Sequence, residues 1–397
     1  VENFEQLIKD NYYYVDKTGL ISELLCNGGM VNLFTRPRRF GKTLNMSMLE
    51  HFFSIERDKN IFDGLEISKD KKLCESYMGK YPVISVSLKG INAATYETAF
   101  SFAVQIVKEV AATMQFLLES EQLSAYDKSE YQKLLDDSMS EAVFCSSLKK
   151  LSILLEKHYR TKVILLIDEY DVPLAKAFEN GYYDQMIFLI RNLLEQALKT
   201  NNSLKFAVMT GCMRISKESI FTGLNNFTTF TITDVDFDEY FGFTDQEVRD
   251  LLTYYECTDK YERIKEWYDG YRFGNVEVYC PWDVVSYLRS LRTNKEAIPQ
   301  NYWVNTSGNA EVKEFIRQSK SATTKREIEC LMAGEEIIKT IRPELTYKEM
   351  YHSIENIWSV LFTTGYLTQA GALDGQKYKL KIPSVELRAI FKTQIRV

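Results

Sequence analysis

KVILLIDE, at residues 162–169, is the stretch that decides the fold. Residues Val163–Ile167 form an unbroken run of β-branched and leucine side chains. Such a run is typical of a parallel strand that is buried on both faces. Two acidic residues, Asp168 and Glu169, follow at once, and ligands of open α/β sheets bind at the carboxyl ends of the strands. The stretch therefore predicts a central strand that delivers two carboxylates to a ligand site.

Further apolar segments alternate with helical patterns along the first half of the chain. We predict strands at Met30–Phe34, Pro82–Leu88, Leu204–Thr210 and Phe227–Thr233. We predict helices at Thr43–Ser54, Ala93–Glu119, Ser140–His158 and Tyr183–Leu198, with a solvated insertion at Ser124–Asp137. Strands that alternate with helices indicate an α/β fold. We expect a mostly parallel five-stranded sheet.

The first predicted strand runs into Arg36-Pro37-Arg38-Arg39-Phe40-Gly41-Lys42-Thr43, which opens a helix. The phosphate-loop (Walker A) rule is GxxxxGK[ST] between a strand and a helix; Gly41, Lys42 and Thr43 match it, and Arg36 replaces the first glycine. Backbone N–H groups at a helix N-terminus bind phosphate oxygens, helped by the helix dipole. We therefore expect Arg36–Leu44 to bind ATP. The alternative is a basic turn with solvated arginines.

The two motifs together predict an ATPase. We expect Lys42 to reach the β- and γ-phosphates, and the Thr43 hydroxyl and Asp168 to hold Mg²⁺. Glu169 follows the Walker B strand and is expected to orient and deprotonate the attacking water. A pair of carboxylates that cap the next turn is the alternative, but it does not explain GKT upstream. Asp171 is either a second acidic contact or a turn residue.

The predicted fourth strand ends in Thr210-Gly211-Cys212-Met213-Arg214. Thr210 is a candidate sensor of the γ-phosphate, and Arg214 is a catalytic candidate that would stabilise transition-state charge. Each has a structural alternative, a plain strand-end hydroxyl and a surface arginine that pairs with Glu218. Arg272, in an aromatic loop bounded by glycines, is a further candidate for contact with the nucleotide.

The strand pattern fades after Asp234. We divide the chain into a P-loop core at 1–236, a helical lid at 237–300 and a helical, winged-helix-like segment at 301–397. The winged-helix prediction rests on a helix at Tyr347–Leu361 followed by a hairpin around Gly371–Gly375. Lys377, Lys379 and Lys381 share one face of its second strand, which favours nucleic-acid binding; an ordinary solvated face is the alternative.

The length, charge and cysteine content of the chain argue against several classes of function. The chain has 397 residues, which predicts two or three domains, and its net charge of -6 gives no overall basic field for DNA or an anionic membrane. Its seven scattered cysteines, without a CxxC pair, indicate reduced thiols in a cytoplasmic protein. No apolar run is long enough to cross a bilayer, so no membrane partner is expected. The chain starts at Val1, and we expect a piece of a longer protein.

Several motifs occur in a fixed order along most of the chain. They are Tyr14–Thr18 (YVDKT), Arg36–Thr43 (RPRRFGKT), Leu166–Leu174 (LIDEYDVPL), Thr210–Phe221 (TGCMRISKESIF), Trp267–Tyr271 (WYDGY) and Tyr279–Trp282 (YCPW). This set resembles the bacterial predicted AAA-ATPase-like family. The resemblance covers the chain up to about Leu367.

The resemblance implies an AAA-like ATPase core, a helical lid and a winged-helix-like segment. It also implies that an arginine-rich loop without the first glycine is a family trait. Many members carry a nuclease-like domain of the PD-(D/E)XK superfamily after the ATPase, but no spaced Asp…Glu-x-Lys occurs at the end of this chain. AAA-type sites often lie between subunits, which makes a homo-oligomer an expected state.

Three functions follow from these expectations. The first is an ATPase, slow in turnover, that switches an attached effector or partner. The second is a nucleotide-binding scaffold with little turnover. The third is a nucleic-acid-binding module of a nuclease-linked protein.

Overall fold

The structure is a computed structural model that describes residues 2–214, 227–303, 310–319 and 321–395. The chain forms two compact units. The N-terminal unit comprises Val1–Thr35 and Thr43–Thr229, and the C-terminal unit comprises Arg36–Lys42 and Phe230–Val397. The three-part division at 236/237 and 300/301 stays a prediction.

A five-stranded sheet organises the N-terminal unit. Its strands are β1 (Val31–Thr35), β2 (Val83–Ser87), β3 (Val163–Asp168), β4 (Leu204–Gly211) and β5 (Phe227–Phe230). The strand order is β2-β3-β4-β1-β5, and the pairs β2–β3, β3–β4 and β4–β1 are parallel. Every residue of β3 is buried, as its apolar run predicts. The predicted α/β fold is confirmed.

Helices flank the strands in sequence. They are α1 (Phe4–Lys9), α2 (Gly19–Asn27), α3 (Lys42–Phe53), α4 (Lys71–Tyr77), α5 (Tyr96–Ala112), α6 (Ala125–Gln132), α7 (Glu141–Tyr159), α8 (Val172–Asn180) and α9 (Tyr183–Leu198). Short 3-10 helices lie at Asn60–Phe62, Glu66–Lys69, Gln115–Glu119 and Lys133–Leu135. The predicted solvated insertion contains α6, which begins with a capping box at Ser124 and Asp127.

Helix α7 shows how the sequence fixes one of these elements. The Ser140 hydroxyl accepts a hydrogen bond from the Val143 N–H and so caps the first turn. Phe144, Leu148 and Leu151 follow at helical spacing and are buried. The helix ends at Tyr159, and the C-cap residue Arg160 has a φ of 56°, in the left-handed region that commonly terminates helices.

The C-terminal unit is mixed helix and strand. Its helices are α10 (Asp245–Tyr254), α11 (Tyr261–Tyr268), α12 (Pro281–Thr293), α13 (Ala310–Gln318), α14 (Ala322–Met332), α15 (Tyr347–Met350), α16 (Ile354–Thr363) and α17 (Val385–Ile395), with a 3-10 helix at Thr258–Lys260. Its strands are β6 (Phe243–Thr244), β7 (Tyr271–Phe273), β8 (Val276–Tyr279), β9 (Ile337–Thr340), β10 (Thr368–Ala372) and β11 (Lys377–Lys381).

The segment predicted as a helical lid is therefore not purely helical. It contains an antiparallel sheet of order β6-β8-β7. Its strands have two to four residues, too few for a period-two pattern to stand out in the sequence. The tight β7–β8 connection uses Gly274, whose φ is +49°.

The last part of the chain holds a second antiparallel sheet, of order β10-β11-β9. Helix α16 precedes the β10–β11 hairpin, and β9 comes from before α15. The predicted single helix Tyr347–Leu361 is divided into α15 and α16, because the Ser353 side chain caps the start of a new helix. The winged-helix assignment itself stays a prediction. Within the described ranges, no helix has both the length and the apolar content needed to cross a membrane.

Candidate functional site

Two threonine hydroxyls hold the carboxylate at the end of β3. Asp168 is the last residue of β3 and is only 4% exposed. Thr43, the second residue of α3, donates from Oγ1 to Asp168 Oδ2 at 2.7 Å. Thr210, from β4, donates to the other carboxylate oxygen, Oδ1. These bonds offset the free-energy cost of burying the carboxylate. The structure thus brings together three residues that the sequence selected.

Glu169 adopts an unusual backbone conformation directly after β3. Its φ is +55°, in the left-handed region that costs most residues other than glycine about 1–2 kcal/mol. Its N–H donates to Thr210 Oγ1 at 3.2 Å. The Thr210 hydroxyl therefore contacts the backbone of Glu169 as well as the carboxylate of Asp168. Strain of this kind persists where the surroundings over-determine it, which is common at functional sites.

Asp171 connects the turn after β3 to the backbone after β4. Its Oδ2 accepts the N–H groups of Cys212 at 2.9 Å and Met213 at 3.1 Å. Tyr170 adds a hydrogen bond from its hydroxyl to the Met213 carbonyl at 2.6 Å. The sequence left two roles open for Asp171, a second acidic contact or a residue of the turn. In the structure, its side chain lies among backbone amides of a neighbouring turn.

Gly211 allows this close approach. A Cβ at position 211 would lie 2.6 Å from Cε1 of Tyr170 and 2.9 Å from Oδ1 of Asp171. Real Cβ atoms are not found at such distances, so any side chain would force the two turns apart. Sequence reasoning passed over Gly211 and Tyr170, although both lie inside the quoted motifs.

Arg36 anchors the arginine-rich loop within the C-terminal unit. Its guanidinium is fully buried and donates to the carbonyl oxygens of Phe230 at 2.8 Å and Phe237 at 3.1 Å. It also lies 4.9 Å from the ring centroid of Phe241, a cation–π distance. Burial lowers the pKa of Arg36 to about 10, against the attraction of nearby carboxylates, so the side chain remains a cation at neutral pH. The side chain at the position of the missing glycine is therefore used inside the protein.

Lys42 turns back onto its own loop. Its Nζ donates to the carbonyl oxygens of Arg36 at 3.2 Å and Pro37 at 3.1 Å. The loop between them includes two residues with positive φ, Arg39 at 75° and Gly41 at 80°. A Cβ at Gly41 would have nothing within 4 Å, so backbone conformation rather than crowding favours glycine there.

Aromatic residues of two later motifs support the loop. Phe40 packs edge-on against Tyr271 of the WYDGY motif, with ring centroids 4.9 Å apart, and lies 5.0 Å from Phe273. The Arg39 guanidinium lies 4.2 Å from the ring centroid of Trp282, in the YCPW motif. The sequence alone indicated no role for the WYDGY and YCPW motifs. In the structure, their aromatic residues form the surface on which the loop packs.

The other residues that the sequence proposed for nucleotide contact are Arg38, Leu44, Arg214 and Arg272. Arg38 is exposed and Leu44 is half-buried. Arg214 is half-buried, and Glu218, named as its alternative partner, lies outside the described residues with the rest of 215–226. Arg272 forms hydrogen bonds within the C-terminal unit, from its N–H to Thr368 Oγ1 at 2.8 Å and from Nε to the Gly274 carbonyl at 3.4 Å. Nucleotide contact by these residues stays a prediction.

The lysines of β11 alternate along the strand as the sequence indicates. Lys377 is exposed, and Lys379 and Lys381 are half-buried. Lys379 Nζ lies 3.6 Å from a carboxylate oxygen of Glu336, which neutralises part of the basic charge on this face. Nucleic-acid binding here stays a prediction.

Known proteins give the site a family context. A family model described as predicted AAA-ATPase, AAA-ATPase_like, matches residues 1–221. An uncharacterized protein in the vnfD 5′ region of Azotobacter chroococcum mcd 1 is 25% identical over 392 residues, which cover 96% of this chain and 66% of that protein. The chain thus spans 66% of that relative's length. Because the family model covers more than half of the chain, including both motifs that form the site, the chain belongs to the predicted AAA-ATPase family.

Proposed function

We propose that this protein binds ATP with Mg²⁺ and hydrolyses the ATP to ADP and phosphate. The proposal is carried by the 2.7 Å hydrogen bond between Thr43 Oγ1 and Asp168 Oδ2. It brings a hydroxyl from the start of α3 next to a carboxylate from the end of β3. Mg²⁺ takes oxygen ligands, commonly one or two carboxylates together with substrate phosphates. This pair of oxygens fits that preference.

The loop residues are proposed to bind the phosphates. Lys42 is the first residue of α3, so its ammonium and the N–H groups at the helix N-terminus belong to one segment. In the structure, the Lys42 ammonium binds two loop carbonyls. We expect it to exchange these carbonyls for β- and γ-phosphate oxygens. The amides of Arg36–Leu44 would complete the phosphate contacts.

Glu169 is the proposed general base. Its carboxylate accepts a proton from water as the water oxygen attacks the γ-phosphorus, and the bond from that phosphorus to the bridging oxygen breaks to release ADP. Mg²⁺, if held by Thr43 and Asp168, would supply charge neutralisation at the phosphate oxygens. Arg214 would stabilise the charge of the transition state, and Thr210 would report the γ-phosphate to Asp168 and Glu169, which its hydroxyl contacts.

Two variants test the assignment. Lys42→Ala is expected to abolish ATP binding, and Glu169→Gln is expected to keep binding while hydrolysis falls by about 10²-fold or more. Lys176→Ala and Glu179→Gln, which remove an ion pair on α8, serve as controls of the same residue types. The measurements are the affinity for a fluorescent ATP analogue and Mg²⁺-dependent phosphate release. Hydrolysis at the wild-type rate in both site variants would overturn the proposal.

We further propose that hydrolysis is slow and acts as a switch on an attached effector or partner in the cytoplasm. A scaffold with little turnover is the competing function, and single-turnover hydrolysis separates the two. A switch hydrolyses bound ATP to completion in one slow phase, whereas a scaffold retains it.

A homo-oligomer and a nuclease-like domain after this chain are proposals from the resemblance. Native mass measurements with and without ATP test for the homo-oligomer.

A further inference from the structure

We propose that Asp171 is a positioning residue for the hydrolysis. It binds the backbone after β4 to the turn after β3 and thereby keeps Thr210 and Glu169 within hydrogen-bond distance of each other. This inference rests on the proposed function. Asp171 is not expected to touch the nucleotide, and its effect is transmitted through hydrogen bonds of the N-terminal unit.

The side chain of Asp171 is used in an unusual way for its position. Asp171 is the N-cap residue of α8, where an aspartate ordinarily accepts an N–H from the first turn of its own helix. It forms no such cap, and its Oδ2 instead accepts the N–H groups of Cys212 and Met213. The residue is only 3% exposed. A buried carboxylate requires hydrogen bonds to offset its desolvation, and the two amides provide them at Oδ2.

The bonds to Asp171 belong to a larger set that joins the two turns. The Tyr170 N–H donates to the Thr210 carbonyl at 3.0 Å, on one side of Gly211. The Asp171 carboxylate and the Tyr170 hydroxyl bind the backbone of Cys212 and Met213 on the other side. Because both sides of Gly211 are tied to the turn after β3, the end of β4 has little freedom to shift alone.

The position of β4 matters because the Thr210 hydroxyl has two tasks. It donates to Asp168 Oδ1 and accepts from the Glu169 N–H at 3.2 Å. The second bond is already near the long end of the range for N–H···O bonds, so a shift of about 1 Å would break it. Glu169 would then lose support for its left-handed backbone, and its carboxylate would move. Displacing a catalytic group by about 1 Å can lower the rate by about 10²-fold.

The test compares Asp171→Ala and Asp171→Asn with Asp70→Ala. Asp70 is an exposed N-cap aspartate that accepts the Leu73 N–H at 3.0 Å, so its variant controls for the loss of an ordinary cap. Asp171→Ala is expected to lower kcat by about 10- to 100-fold while the affinity for Mg²⁺–ATP changes by less than about threefold. Asp171→Asn keeps an acceptor oxygen without the charge and should recover part of the loss.

Amide hydrogen exchange provides a readout that does not depend on turnover. In Asp171→Ala, exchange at Glu169, Cys212 and Met213 should accelerate by at least about tenfold, whereas Asp70→Ala should leave these amides unchanged.

The outcomes separate this inference from the proposed function. Failure of the wild type to bind or hydrolyse ATP overturns the proposed function and the positioning role with it. With an active wild type, unchanged exchange or an unchanged kcat in Asp171→Ala overturns the positioning role alone. The positioning role is also overturned if kcat and ATP affinity of Asp171→Ala fall in proportion to its folded fraction and Asp171→Asn shows no recovery. Asp171 would then be a purely structural residue.

Discussion

The substitution Asp283→Asn should change how the stability of the protein depends on pH. Asp283, in the first turn of α12, is only 3% exposed, and burial raises its pKa from 3.8 to about 7. Hydrogen bonds with Cys280 and Glu386 and the charge of Arg39 act in the opposite direction. Glu386, on α17, is 1% exposed and accepts the Trp303 N–H at 2.6 Å. Two buried carboxyl groups therefore face each other, and the folded state retains a proton.

The sign and size of the effect follow from proton linkage. Between pH 4 and 7 the unfolded chain has lost the Asp283 proton and the folded state has kept it. The folded state thus binds more protons, and the free energy of unfolding falls as pH rises through this window. Each tenfold difference in proton affinity between the folded and unfolded states is worth about 1.4 kcal/mol, which sets the scale of the effect. Asparagine is neutral at every pH and retains a donor, so the contribution of Asp283 to this loss is absent in the variant.

Urea unfolding at pH 5 and pH 8 measures the effect. From pH 5 to pH 8, the stability of Asp283→Asn should rise relative to the wild type by between about 2 and 4 kcal/mol. Asp259→Asn, at an aspartate whose side chain is 69% exposed, is the control and should show less than about 0.5 kcal/mol of such change. A difference between Asp283→Asn and the wild type that is the same at both pH values would refute the reasoning.

Two further substitutions test the packing of the site. Gly211→Ala would place a methyl group 2.6 Å from the Tyr170 ring and should lower the free energy of unfolding, measured by urea titration, by about 1–3 kcal/mol. The control is Gly90→Ala, whose added methyl group would have its closest neighbour at 3.4 Å and should leave the stability nearly unchanged. Arg36→Met removes the donor of two buried carbonyls, those of Phe230 and Phe237, and should cost about 3 kcal/mol, compared with little change for Arg38→Met at an exposed position. Equal stability of Arg36→Met and Arg38→Met would contradict the anchoring role.

The sequence was sufficient for the sheet and for the carboxylate end of the site. The run before Asp168 is long, apolar and β-branched, which leaves a buried parallel strand as the natural interpretation. GKT after another strand then locates the start of α3. Both signals are local in sequence, and the structure places Thr43 and Asp168 in hydrogen-bond contact, as the combined motifs require.

Other features depend on contacts that no local pattern records. The strands β6, β7 and β8 are too short for alternation to appear. The loop packs on Tyr271 and Trp282, more than 200 residues further along the chain. The positive φ of Glu169 could not be foreseen either, because glutamate is not among the residues enriched in that region.

The burial of Arg36 has a consequence for how this protein can be dissected. Its guanidinium donates to the carbonyls of Phe230 and Phe237, and Phe40 packs against Tyr271. Phe230, Phe237 and Tyr271 all follow the segment matched by the family model at 1–221. A fragment trimmed to that segment would carry the residues of both motifs yet lack the carbonyls and the ring that the arginine-rich loop contacts. We therefore expect such a truncated protein to lose the shape of this loop, although the motifs themselves remain in its sequence.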